Sequence, residues 1–266
     1  MKKTVAVMTW MLAAHLSLLA GLEWKATTDF SGETKKAVYQ TNMTIQAQGG
    51  NVKQIFDTVS GENMMYRQGD YWLFRSADNA FYGVSPADKT YWEIPLDYMF
   101  KMTQTVGKIV KIKIKDPKIA KEMLSPETLL GISCQHYKMT IEYDMEVKVV
   151  LLKSRSHEIQ VKEVWSSPQV KGLAEIATTF RQKDYKTGFA DLDALIEEQL
   201  KAEGDLGFPL KIVTVNSSVD KKGETKEKSR MVMTVTQVAA KLFPAAVFEI
   251  PAGYQKKDMS QSLFKD

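Results

Sequence analysis

The chain has 266 residues, 44% of them apolar and 26% charged, with a formal net charge of +4. That is the composition of a folded globular protein and excludes a disordered chain. Removing residues 1–20, which carry Lys2 and Lys3 and no acid, leaves +2, so the charge gives no support to a nucleic-acid binder, which concentrates basic residues on one surface.

In chain order, residues 1–20 read as an export signal. Lys2 and Lys3 supply the positive start, Val5 to Leu19 the apolar stretch, and Ala20 or Gly21 a small residue for cleavage. The stretch is shorter than the ~20 apolar residues a membrane span needs. The expected destination is the periplasm or the exterior. Cys134 is the only cysteine, so the fold has no internal disulfide to lean on. With no cysteine at the cleavage point, a soluble mature chain is expected, with one β-rich domain over 21–259 and a polar tail at 260–266.

From Leu22 the pattern has period two, the mark of half-buried strands. It runs over Leu22–Phe30, Gln40–Gln48 and Val52–Phe56, with Gly49-Gly50 as a turn. Short runs follow at Met64–Tyr66, Tyr71–Phe74 and Phe81–Val84, punctuated by Gly61, Gly69-Asp70 and Ala77-Asp78-Asn79, which predicts an antiparallel meander. Pro95 suits the first position of a helix carrying Leu96, Met99, Phe100 and Thr103 on one face and ending at Gly107. Lys108, Lys111, Lys113 and Lys115 then alternate with Val110, Ile112 and Ile114. Such a lysine row is a solvated strand face or an edge guard, or else a contact for anionic headgroups.

Strands are predicted at His136–Tyr143, Glu146–Leu152 and His157–Trp165. Leu173, Ile176, Ala177 and Phe180 recur at helical spacing, as do Leu192, Leu195, Ile196 and Leu200, with Asp191 as cap and Gly204 as stop. Phe208–Val215 and Arg230–Val238 form a hairpin across Asp220–Glu224, and the chain closes on Phe248–Tyr254. Two amphipathic helices thus lie on an antiparallel sheet.

Three stretches carry a resemblance to a known family: Met65–Asp70 with Lys89-Thr-Tyr91 and Ile94-Pro95; Gly207-Phe-Pro-Leu210; and Phe248-Glu-Ile-Pro-Ala-Gly-Tyr254. Together they resemble an uncharacterised domain-of-unknown-function family of exported bacterial proteins. That family is similar in architecture to the periplasmic lipoprotein carriers, of the LolA/LolB-like fold. The resemblance implies an α+β fold: a curved antiparallel sheet or incomplete β-barrel with amphipathic helices packed over its open face. It implies no catalytic residue.

Ten of the 26 aromatic residues fall between residues 66 and 100. Broad rings and flexible thioethers suit a cavity for irregular acyl chains. The candidate lining is Tyr66, Trp72, Phe74, Tyr82, Trp92, Met99, Phe100 and Phe180. An ordinary core of cross-strand aromatic pairs accounts for the same residues, and alternation does not separate a filled core from a hollow one.

Other constellations are thin. Cys134 and His136, with His157, are too few for a zinc or copper site, and no orienting group marks them as a Cys/His nucleophile pair. Asp191, Asp193, Glu197 and Glu198 lack calcium-loop spacing and fit a helix start. Asn42 and Asn216 head glycosylation-like triplets that read as strand and loop. No cofactor, metal or catalysis is expected. The function expected is an exported soluble envelope protein that binds an apolar ligand, a lipid or an acylated peptide or lipoprotein, touching the membrane only transiently. The alternative is a structural or interaction module of the envelope with a filled core.

Overall fold

Alternation along the chain is realised as one twelve-stranded sheet in the computed structural model, which describes residues 21–33, 38–61, 66–98, 109–150, 152–170, 187–204, 207–220 and 222–258. The strands are β1 (Gly21–Gly32), β2 (Val38–Gln48), β3 (Asn51–Gly61), β4 (Tyr71–Arg75), β5 (Ala80–Ser85), β6 (Thr90–Pro95), β7 (Val110–Leu129), β8 (Ile132–Val149), β9 (Leu152–Ser167), β10 (Phe208–Val219), β11 (Thr225–Lys241) and β12 (Gln255–Lys256). The chain is therefore mostly β.

The spatial order is β12-β6-β5-β4-β3-β2-β1-β11-β10-β9-β8-β7, and all neighbours are antiparallel except β12 on β6. Strands β1 to β6 step outward in one direction. The chain then crosses to the far edge at β7 and steps back until β11 pairs with β1. Turn chemistry fixes several hairpins: Gly49 and Gly50, both at positive φ, connect β2 to β3 in the two-residue form that matches strand twist.

Directly paired residues share a face, so the register sorts the side chains. One face carries Met43, Ile45, Phe56, Trp72, Phe74 and Trp92, and continues through Trp24, Ala26 and Met233 to Ile212, Val164 and Tyr137. The single α-helix with a described span, α1 (Ala190–Glu203), packs Leu195 against Tyr137, Met139, Ile141 and Val164 at the far end of this face. Its C-terminus is anchored: Lys121 Nζ donates to the carbonyls of Ala202 and Glu203 at 3.1 and 2.7 Å, and Lys162 pairs with the Glu203 carboxylate. Gly204, at φ 66°, stops the helix as expected.

The opposite face of β3 to β6 is covered by the chain's end. Phe243, Val247, Phe248, Ile250 and Tyr254 pack over Ile55, Tyr71, Leu73, Tyr82, Val84 and Tyr91. A 3-10 helix (Ala245–Phe248) shapes this strap, and β12 then pairs beside β6, with Gln255 N–H donating to Lys89 and Lys257 N–H to Tyr91. The Gln48 side chain grips the strap's start: its amide donates to the Phe243 carbonyl at 3.1 Å and accepts from the Phe243 N–H at 2.8 Å.

Three sequence expectations change. Pro95 ends β6 opposite Ala80 instead of starting a helix; helical backbone begins at Leu96. Asp191 does not cap α1. Its carboxylate accepts the Ile114 N–H of β7 at 3.1 Å, while Asp193 accepts from Thr187. The predicted strand Glu146–Leu152 is split, because β8 ends at Val149 and β9 begins at Leu152, their paired partner. The apolar run there hides a turn with no glycine or asparagine to announce it. Phe248–Tyr254, the closing stretch of the sequence reading, lies in the covering strap. The helix predicted around Leu173–Phe180 lies outside the described residues.

Candidate apolar site

Of the eight candidate lining residues, Tyr66, Trp72, Phe74 and Trp92 are brought together on the face that α1 shares. Tyr66 stacks on Phe56 with centroids 3.7 Å apart, and Trp72 meets both edge-on at 6.0 and 5.9 Å. Phe74 faces its cross-strand partner Phe81 at 5.0 Å. The register row Gln54, Trp72, Gly83, Trp92 places two indoles around a glycine. A Cβ on Gly83 would stand 2.0 Å from the Trp92 ring, so the absent side chain is what lets the indole lie down.

Tyr82 is on the other face. It pairs with Leu73, packs into the cluster beneath the strap, and donates to Asp78 at 2.8 Å. Burial first, then the bond to Asp78 and the negative charge of Glu93, push its phenol well above the usual range. Met99, Phe100 and Phe180 lie outside the described residues.

Sequence reasoning did not single out Phe56, Ile45, Met43, Trp24 and Met233, which complete the same cluster with Trp72 and Tyr66. The Met43-x-Ile45-x-Ala47 alternation was the available signal. Tyr66, Trp72 and Trp92 are half-buried, whereas Phe56 and Phe74 are 1% and 3% exposed. Burial raises the Tyr66 phenol, as expected of a hydroxyl in apolar surroundings.

Elsewhere the polar groups give little chemistry. Cys134 is buried and its thiol is pushed up by desolvation, away from a nucleophilic thiolate. His136 stacks on Trp165 at 4.1 Å, with Glu127 at 3.4 Å and Glu163 at 3.6 Å. No group of three or more His, Cys, Asp or Glu among the described residues is placed to hold a metal. A cleft of about 280 Å³ among Lys115, Asp144, Glu146, Arg155, His157 and Asp220 is lined by charge and does not suit an apolar ligand. No helix among the described residues is long and apolar enough to cross a membrane.

Residues 33–254 match the model of DUF4412, a domain of unknown function. The chain belongs to the DUF4412 family. The match includes the strap up to Tyr254, so the closing motif of this DUF4412 chain lies in the segment that covers one face of β3 to β6. No curated protein matches it. Among solved structures it is similar to a DUF1329 family protein from Desulfovibrio piger, with 9% identity, 90% of this chain and 93% of that chain covered, and a TM-score of 0.27. It is also similar to a Vibrio parahaemolyticus domain named for outer membrane lipoprotein sorting, with 8% identity, 86% and 89% coverage, and a TM-score of 0.21. At such scores neither likeness adds to what the strands themselves establish.

Proposed function

We propose that this DUF4412 chain is an exported envelope protein that holds an apolar ligand, a lipid or an acylated peptide, against the aromatic face of its sheet without covalent chemistry. In this reading the sheet is an incomplete barrel and α1 is part of its lid. The observation that carries the reading is the row of half-buried rings, Tyr66, Trp72 and Trp92, on the face that α1 covers only at its far end. Residues 1–20 supply the address, and the raised thiol of Cys134 argues against a covalent mechanism.

The test is titration of the delipidated protein with a fluorescent fatty-acid probe. Saturable micromolar binding is expected, displaced by unlabelled fatty acid. Trp72→Ala or Trp92→Ala weakens it about tenfold, the equivalent of some 1–2 kcal/mol of lost apolar contact. Absence of binding by the delipidated protein overturns the proposal. It favours instead an assembly module with a filled core, a reading supported by the near-complete burial of Phe56 and Phe74.

A further inference from the structure

The free end of the β7-β8-β9 meander combines a left-handed apolar turn residue with a row of lysines. Val149 pairs with both Val110 and Leu152, which leaves two residues between β8 and β9, the first of them Val150 in a turn. Such turns favour glycine, asparagine or aspartate, because their backbone enters the left-handed region. The β7–β8 turn also places an apolar residue, Leu130, at φ 53°, but follows it with Gly131. Here Val150, a β-branched residue, stands at φ 53° with no glycine after it. It is 67% exposed, Leu152 is 78% exposed, and Ile109, the residue before β7, is 58% exposed. A strained backbone that presents apolar side chains to water has two costs and no packing return among the described residues.

The charges beside the tip are as specific. Cross-strand pairing sets Lys111, Lys148 and Lys153 in one row, immediately behind Val149 and Leu152. The next rows on the same face hold Lys113, Glu146 and Arg155, then Lys115, Asp144 and His157. Glu146 engages Lys153 and Arg155 at 2.8 and 3.0 Å, and Asp144 engages His157 at 2.8 Å. Lys111 and Lys148 have no carboxylate partner among the described residues. Edge protection explains lysines on β7, the edge strand, but Lys148 and Lys153 lie on interior strands.

We propose that this tip docks the protein on an anionic lipid surface, with Val150, Leu152 and Ile109 entering the headgroup–acyl boundary and Lys111, Lys148 and Lys153 meeting lipid phosphates one residue behind. A strand rises about 3.3 Å per residue, so ammoniums one residue behind the apolar tip stand at headgroup depth. Apolar insertion combined with a polybasic row gives reversible attachment, because neither alone is strong. The proposal deepens the envelope reading but not its ligand site. The tip and the aromatic face are separate surfaces, so each is tested without the other.

The experiment measures co-sedimentation of the processed full-length protein with vesicles of phosphatidylcholine alone or mixed with phosphatidylglycerol. Binding is expected to the anionic vesicles only, and to fall as salt shortens the screening length from about 8 to about 3 Å. Lys148→Glu with Lys153→Glu reduces it about tenfold or more. Val150→Asn suits the left-handed backbone, so it keeps or raises the melting temperature while losing affinity, separating docking from folding. With Cys134 buried, Leu152→Cys takes a fluorophore selectively, whose emission shifts to the blue on anionic vesicles. Equal binding to both vesicle types, no binding to either, or variants that bind like the parent overturns the proposal. Fatty-acid probe binding by these tip variants is expected to be unchanged; its loss in all forms of the protein would count against the ligand site alone.

Discussion

The Trp92 indole lies across Gly83, at a distance that leaves no room for even a methyl group on that residue. Gly83→Ala therefore forces Trp92 off its site. The expected result is a loss of roughly 1–3 kcal/mol in urea unfolding, as for other overpacked positions, with a changed tryptophan emission spectrum. If the fatty-acid probe binds beside Trp92, its affinity drops in the same variant. An unchanged spectrum would mean that the indole does not rest on Gly83.

The strap makes a separate prediction. Phe248 is 5% exposed and meets Phe243 edge-on at 5.9 Å. Phe248→Ala is expected to cost about 3–5 kcal/mol. Gln48→Leu, which removes both bonds to the Phe243 peptide, is expected to cost about 1–3 kcal/mol. Hydrogen exchange at Gln255 and Lys257 should quicken in both variants, since β12 follows the strap.

Under the strap, Tyr71 and Lys53 carry polar atoms into an apolar cluster. The Tyr71 hydroxyl is buried without a hydrogen-bond partner among the described residues, and burial pushes its pKa up to about 12. Tyr71→Phe should stabilise the protein by about 1 kcal/mol. Lys53 Nζ sits 4.1 Å over the Tyr71 ring, and burial lowers its pKa. A lysine whose folded pKa is depressed destabilises the fold while it is charged, and that penalty fades as pH rises from the folded value to the unfolded value near 10.4. Lys53→Met should raise the melting temperature by a few degrees at most and flatten its rise with alkaline pH.

Acid acts at the junction of the two meanders. Glu23 on β1 accepts from Gln46 at 2.8 Å and from Lys241 at 2.9 Å, and these bonds hold its carboxyl below the usual range. Its contribution is complete above the unfolded pKa of about 4.3 and is lost as pH falls through the lower folded value. Glu23→Gln should flatten the acid limb of the stability curve below about pH 4.3. A limb as steep as the parent's would assign acid sensitivity elsewhere.

Much of the sheet was legible because one buried face imposes period two. Met43, Ile45 and Ala47 announced β2, and Phe208–Val215 with Arg230–Val238 announced the β10–β11 hairpin. What local pattern could not supply was register. Trp72 and Phe74 share a face by sequence spacing alone, but whether Tyr82 joins them depends on its pairing with Leu73, a choice made across the sheet. The Val150 turn was hidden for another reason, since the residues there contradict turn chemistry. Likewise Asp191 looked like a cap because helix starts favour acids, yet the nearby β7 edge offered an unpaired N–H at Ile114.

The central claim is that this chain carries an apolar ligand. Native mass spectrometry of the protein purified from its own envelope addresses it most directly. A population heavier than the processed chain by the mass of a lipid or acylated peptide, released on denaturation, is expected. A single species at the bare chain mass, from a preparation never exposed to detergent, would contradict it.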